Sequence, residues 1–297
     1  MLLPEQYARA YAELWSWMFV GDEWSYTRTP IVSYLQNGSN AMATRAKATH
    51  QALLGRLQRK TGDPGVGARK TFQFNGDDYI NLSITRTFIG KACPWEIQET
   101  MQLASQLGLV VPEKSYFFCT DNMGVDCGGF VANYWGVGVP HMEQPNPFGA
   151  YGISPRSFWA DNKTWPDVMQ RRRSTASAVR PGDAAIFFKD IKGDNPDQAK
   201  QRDSKGNLIA GTGSEAFHIG LVNQVTASTV MKLDVAESSG ARSAFGGNGV
   251  SVRSVNVTGT GVSCGKWVYA EVGNERIYFV APPAGWGPET PYSYGDE

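Results

Sequence analysis

The chain has 297 residues, 41% of them hydrophobic and 19% charged, and its 28 basic and 28 acidic side chains cancel. That balance describes a folded globular protein and excludes both a disordered chain and the basic excess of a nucleic-acid binder. No run approaches the ~18 apolar residues that cross a bilayer, and the length suits one core with substantial additions.

In chain order, Tyr7, Leu14, Trp17 and Met18 recur near helical spacing, while Glu5, Arg9 and Glu13 interrupt the apolar text. This predicts an amphipathic helix and not a secretion signal, which would show a basic leader before a continuous apolar run. A second helix is expected over Ala41 to Leu57, rich in Ala, Leu, Lys and Arg. The turn-rich Gly62-Asp63-Pro64-Gly65-Val66-Gly67 follows and offers a break after an N-terminal subdomain. A further helix opens with Pro94, carries Trp95, Ile97, Met101 and Leu107, and stops at Gly108. Residues 109 to 126 then form a connector to Cys127.

A short helix begins at Cys127, with Phe130, Val131 and Tyr134 as its buried stripe, and ends near Gly136. Another is predicted from Pro155 to Arg173, where Arg171, Arg172 and Arg173 suit the negative end of a helix dipole on a solvated face. Strands are expected at Ala184 to Lys189, His218 to Val225, Val230 to Glu237, Val250 to Val257, Lys266 to Val272 and Arg276 to Ala281. Helices followed by a run of antiparallel strands give an α+β fold, with residues 1–109 as a mainly helical region and residues 110–297 as a second domain that carries the strands. The polar, Gly-rich stretch from Asp190 to Ser214 is too long for a hairpin loop and is expected to be a flexible flap or an insertion.

The four cysteines, Cys93, Cys119, Cys127 and Cys264, lack the paired spacing of a zinc site. A Cys93–Cys119 disulfide is left open, although a chain of this size needs none to fold. Cys127 stands at the start of a predicted helix, where unpaired N–H groups and the helix dipole favour a thiolate. Asp126 beside it acts in the opposite sense, so a histidine partner is required. Gly128 and Gly129 leave room for a substrate carbonyl and for backbone N–H donors to an oxyanion.

Only three histidines are available. His50 sits in a polar helix and His141 in a Pro-flanked loop, whereas His218 opens the apolar strand Phe217-His218-Ile219-Gly220-Leu221-Val222 beside the long loop. On the next strand, alternation places Leu233, Val235 and Glu237 on one face and Lys232 with Asp234 on the other. Glu237 is therefore the candidate orienter of the imidazole, on the face expected to pack against the cysteine helix, with Asp234 towards solvent.

The segment Gly124-Val125-Asp126-Cys127-Gly128-Gly129-Phe130-Val131 resembles the Asp-Cys-Ser-Gly-Phe-Val segment of NlpC-type cell-wall peptidases. Arg180-Pro181-Gly182-Asp183-Ala184-Ala185-Ile186-Phe187-Phe188 is similar to that family's Pro-Gly-Asp strand opening, and His218-Ile219-Gly220-Leu221-Val222 to its His-Val-Gly-Ile-Tyr strand. The three segments stand in the family's order, over about residues 110 to 281.

The resemblance implies a papain-like core, with the nucleophile helix packed on an antiparallel sheet or half-barrel behind an N-terminal helical extension. It further implies a Cys–His dyad with a third polar residue, no cofactor or metal, and cleavage of amide bonds in peptidoglycan peptides. Gly128 stands where the family usually has Ser, and Glu237 where it usually has His, which is closer to the related CHAP amidases. The family's upstream oxyanion tyrosine has a candidate in Tyr116, and Asn122 is a candidate amide donor by similarity to papain's glutamine.

These expectations make the chain a Cys-His-Glu hydrolase of bacterial cell-wall peptide: an antibacterial effector or lysis enzyme, delivered by a leaderless route and partnered by an immunity or inhibitor protein. Two alternatives stay open. A papain-like acyltransferase, esterase or protein amidase would use the same dyad on another substrate, and a non-catalytic cell-wall binding module would use Trp15, Trp17 and Trp24.

Overall fold

The computed structural model describes residues 2–36, 41–136, 154–162, 165, 167–189, 191, 194–205, 207, 209–210, 212–228, 230–240 and 249–283. Helix α1 (Pro4–Ala12) is shorter than its periodicity predicts. The chain turns instead into a hairpin of β1 (Trp15–Val20) and β2 (Glu23–Arg28), paired from Trp15↔Arg28 to Val20↔Glu23. Trp17 and Met18, expected on a helix, therefore lie on a strand. Ser16 and Met18 are buried while Trp15 and Trp17 are exposed, a period of two that outcompetes the helical reading. Gly21, in the two-residue turn, adopts the φ of +61° that such turns favour.

Helix α2 (Ala41–Thr61) forms as expected. A second hairpin, β3 (Thr71–Phe74) and β4 (Asp77–Ile80), turns at Asn75 and Gly76, with φ of 51° and 90°, the left-handed pair that Asn-Gly turns supply. Then come α3 (Asn81–Thr87), α4 (Pro94–Gln106) and α5 (Ser115–Asn122), the last lying inside the expected connector. The N-terminal third is thus helices with two hairpins. One apolar core joins Tyr7, Tyr11, Leu57 and Met101 from this third to Phe130, Ile219 and Leu221 beyond it.

Helix α6 (Cys127–Tyr134) follows, and Gly136 ends it with a φ of +70°. The helix predicted over 155–173 shortens to α7 (Ser157–Ala160). Pro166 offers no N–H to a helix, and residues 171–173 run beside a strand instead, Arg173 donating its N–H to Phe279 and Arg171 accepting from Ala281. The arginine run is accordingly not a solvated face. Buried Arg172 lies 3.8 Å from the ring centre of Trp159 and bonds its carbonyl at 2.8 and 3.0 Å, while Arg173 grips Asp183 with two bonds.

Seven antiparallel strands form the main sheet: β5 (Ala184–Lys189), β6 (Glu215–Thr226), β7 (Lys232–Ser239), β8 (Gly249–Val255), β9 (Gly259–Ser263), β10 (Trp267–Val272) and β11 (Glu275–Val280). Their order is β8-β7-β6-β5-β11-β10-β9. β9 is the strand of this sheet that was not expected from the sequence. Helix α6 packs on the face carrying Ile219, Leu221 and Ala236. The opposite face holds a second core in which Val222, Leu233 and Val255 meet Val268, Ala270 and Ile277. These come from opposite ends of the strand order, and Met231 N–H bonds Thr260 Oγ1 at 3.1 Å, so the sheet curls around this core.

The loop that leaves β5 was expected to be a flexible flap or an insertion. In its described part it is pinned: Asp197 accepts from Trp159 Nε1 at 2.8 Å and from Arg172 at 2.7 Å, and Arg156 donates to the carbonyls of Pro196 and Asp197. All four cysteines are free thiols, and buried Cys119 faces the Met101 sulfur at 3.7 Å, so no Cys93–Cys119 disulfide forms. The fold is mixed α+β. Among the described residues no helix is long and apolar enough to cross a membrane.

Candidate active site

The site starts with how α6 begins. Asp126, in extended conformation, caps the helix: its Oδ1 accepts the Gly129 N–H at 2.6 Å. The residues before the cap are held on three sides. Val125 is bridged to Tyr34 and accepts the Ser238 hydroxyl from β7 at 2.6 Å, and the Asp126 N–H donates to Gly90 at 2.8 Å. Gly90 has a φ of +77°, and a Cβ there would sit 1.8 Å from the Leu35 carbonyl oxygen. The close approach that fixes the turn before Cys127 therefore depends on glycine at that position.

Cys127 occupies the first position of α6, buried at 7% exposure. His218 lies on β6, and its ring packs 5.2 Å from that of Phe187. The imidazole Nε2 bonds Glu237 Oε2 at 2.8 Å, which leaves Nδ1 as the ring nitrogen for the sulfur. Burial opposes the imidazolium. Hydrogen bonds to Cys127 and Glu237, together with their charges, outweigh it and raise the His218 pKa to about 9.

Glu237 is fully buried. Its second partner is Arg253 on β8, which donates from Nε to Oε1 at 2.7 Å and from Nη2 to Oε2 at 3.1 Å. Burial would raise this carboxyl, yet the bonds to His218 and Arg253 hold it down, at about 2. A buried anion flanked by two cationic groups stays ionised and fixes the ring it touches.

Alternation does put Leu233, Val235 and Glu237 on one face, but that face is not the one against α6. Leu233 and Val235 belong to the second core, and Ala236 is the β7 residue that packs with the helix. β7 is buried on both sides, so apolar character alone does not say which side meets the helix. Asp234 is half-buried and accepts the Ser254 hydroxyl at 2.6 Å.

A residue that the sequence did not signal also reaches the sulfur. The Tyr34 hydroxyl lies 3.9 Å from Cys127 Sγ, 93 positions away in the chain. Burial and the neighbouring Cys127 and Asp126 push its pKa upward, so the phenol remains a proton-bearing donor. Tyr116, the sequence candidate for this place, is exposed on α5 with its ring edge-on to Phe117. Asn122 is committed elsewhere: its Oδ1 accepts the Thr49 hydroxyl at 2.7 Å and its Nδ2 donates to Phe118 at 2.8 Å. Gly128 lies buried in the first turn of α6. His50 stacks on Phe88, and burial lowers its pKa; His141 falls outside the described residues.

Lys91, which ion-pairs with Asp126, and Arg253 were likewise unforeseen. Arg253 is two residues beyond Ser251, the β8 partner of Glu237, so its role becomes readable once strand pairing is known. Among the described residues no cluster of His, Cys, Asp and Glu is arranged to hold a metal ion. The assembled groups are a thiol at a helix N-terminus, an imidazole, a buried carboxylate and a neutral phenol, a set suited to nucleophilic attack on an acyl carbon. Compared with protein-family models, with curated proteins and with solved structures, the chain matches none.

Proposed function

We propose that this chain is a cysteine hydrolase of papain-like type that cleaves amide bonds in bacterial cell-wall peptides. The observation that carries the reading is the chain of contacts from Cys127 at the helix mouth through His218 to the buried Glu237. The substrate class comes from the resemblance of the Asp126-Cys127, Pro181-Gly182-Asp183 and His218 segments to NlpC-type peptidases.

In this mechanism the Cys127 sulfur attacks the amide carbonyl carbon, and the developing oxyanion is met by N–H groups of the first turn of α6 and by the Tyr34 hydroxyl. His218 then gives its proton to the leaving amine as the C–N bond breaks, leaving a thioester on Cys127. Water attacks the thioester with His218 as base, which releases the acid and restores the thiol. Glu237 holds the ring through Nε2, so the same imidazole edge serves both steps.

Cys127→Ala is expected to abolish release of peptide fragments from purified peptidoglycan, read by product mass, with the melting temperature of the protein retained. Undiminished turnover by this variant would exclude the mechanism. Turnover confined to lipid esters would move the chain to another substrate class.

A further inference from the structure

A carboxylate next to a catalytic thiol is an unfavourable neighbour, because its charge opposes formation of the thiolate. Asp126 is nevertheless required as the cap of α6, through Gly129. The structure supplies a resolution. Lys91, buried like Asp126 itself, ion-pairs with Asp126 Oδ2 on the side away from the cap bond. The lysine is in turn held in place by its own backbone, whose carbonyl accepts two bonds from buried Arg86, at 3.1 and 2.7 Å, and one from Asn133 of α6 at 3.1 Å.

We infer that Lys91 is a positioning residue for the nucleophile, neutralising Asp126 so that the carboxylate can cap α6 without disfavouring a thiolate on the next residue. This deepens the hydrolase reading and rests on Cys127 being its nucleophile. The charged and titratable groups around the sulfur are His218 from β6, Tyr34 from the segment before α2, and Asp126 from its own turn. Lys91 stands behind Asp126, as Arg253 stands behind Glu237. Each buried carboxylate near the site thus has its own cation. Burial pushes the Asp126 pKa upward, and the Lys91 ammonium is the largest influence that holds it down.

The test is the pH dependence of Cys127 alkylation by iodoacetamide, followed by peptide mass in a Cys264→Ser background to remove the exposed thiol. Lys91→Met is expected to raise the alkylation midpoint by about one unit and slow labelling about tenfold at neutral pH. The double variant Lys91→Met/Asp126→Asn should return to the parent midpoint, because asparagine still caps the helix without charge. A folded Lys91→Met protein with an unmoved midpoint, or a double variant as displaced as the single one, overturns the assignment. Should Lys91→Met fail to fold, Asp126→Asn alone must lower the midpoint, and an unmoved midpoint in that variant overturns it equally. Alkylation needs no substrate. Peptidoglycan turnover by Cys127→Ala would therefore sink the hydrolase reading while the titration still decides the role of Lys91.

Discussion

Two buried carboxylates of this molecule, Asp183 and Glu237, are bound by arginine in nearly the same way and end in different places. Asp183 accepts Arg173 Nε and Nη2 at 2.8 and 2.7 Å and the Arg180 N–H at 2.9 Å. Glu237 accepts Arg253 at 2.7 and 3.1 Å and His218 at 2.8 Å. The first network closes on backbone and anchors the entry to β5. The second ends on an imidazole whose other side meets a thiol. Burial and ion pairing are common to both, so neither marks a reactive site by itself; what distinguishes them is whether the last member of the network can carry a proton to another molecule.

Glu237→Gln gives the largest expected separation. The amide keeps the shape but loses the charge that helps the buried ring hold its proton, and cleavage of peptidoglycan peptide should fall about 10–100-fold. The pH profile should change as well. His218, raised to about 9 from 6.5, contributes stability that is full below about 6.5 and lost as pH rises through about 9. Glu237, lowered from 4.5 to about 2, contributes stability that is full above about 4.5 and lost as pH falls towards 2. In Glu237→Gln the alkaline limb of the kcat/KM profile should move to lower pH, because burial then acts on an imidazolium with one fewer stabilising partner. An alkaline limb left in place would mean that the carboxylate has no part in setting the charge of the ring.

Tyr34→Phe should have a smaller effect. The phenol is one neutral donor near the sulfur, and loss of one such hydrogen bond amounts to about 1 kcal/mol, or roughly fivefold in kcat. The loss should appear in kcat with KM little changed, since a donor to an oxyanion acts only as charge develops. Equal alkylation of Cys127 in Tyr34→Phe and parent protein would separate this role from a role in forming the thiolate.

The pairing of Cys127 with His218 was legible because its determinants are local: a cap and glycines around Cys127, and an apolar strand opened by the histidine. Glu237 followed from alternation, even though the face it occupies was assigned to the wrong side of a strand buried on both. Tyr34, Lys91 and Arg253 were not legible, because each reaches the site through tertiary packing or strand register that no short window encodes. The hairpin at Gly21-Asp22 and the Asn75-Gly76 turn did carry local signals. Helical spacing of aromatics masked the first, and the second lies in a short polar stretch with few residues to show a period.

Asp183→Asn should be the quietest change in catalysis and thus the sharpest use of the comparison. The substitution removes the charge that pairs Arg173 and leaves one carbonyl acceptor, so unfolding stability should drop by about 1–3 kcal/mol, with the half-exposed edge of Arg173 regaining some water. Cleavage per folded molecule and the alkylation midpoint of Cys127 should stay within about twofold of the parent, because nothing in the Asp183 network touches the sulfur or the ring. Denaturant titration measures the first quantity and thiol labelling the second. If Asp183→Asn displaced the midpoint as strongly as Glu237→Gln, the two networks would be one coupled system through β5 and β6, and the distinction drawn from their end points would have to be replaced by a global dependence of the site on sheet geometry.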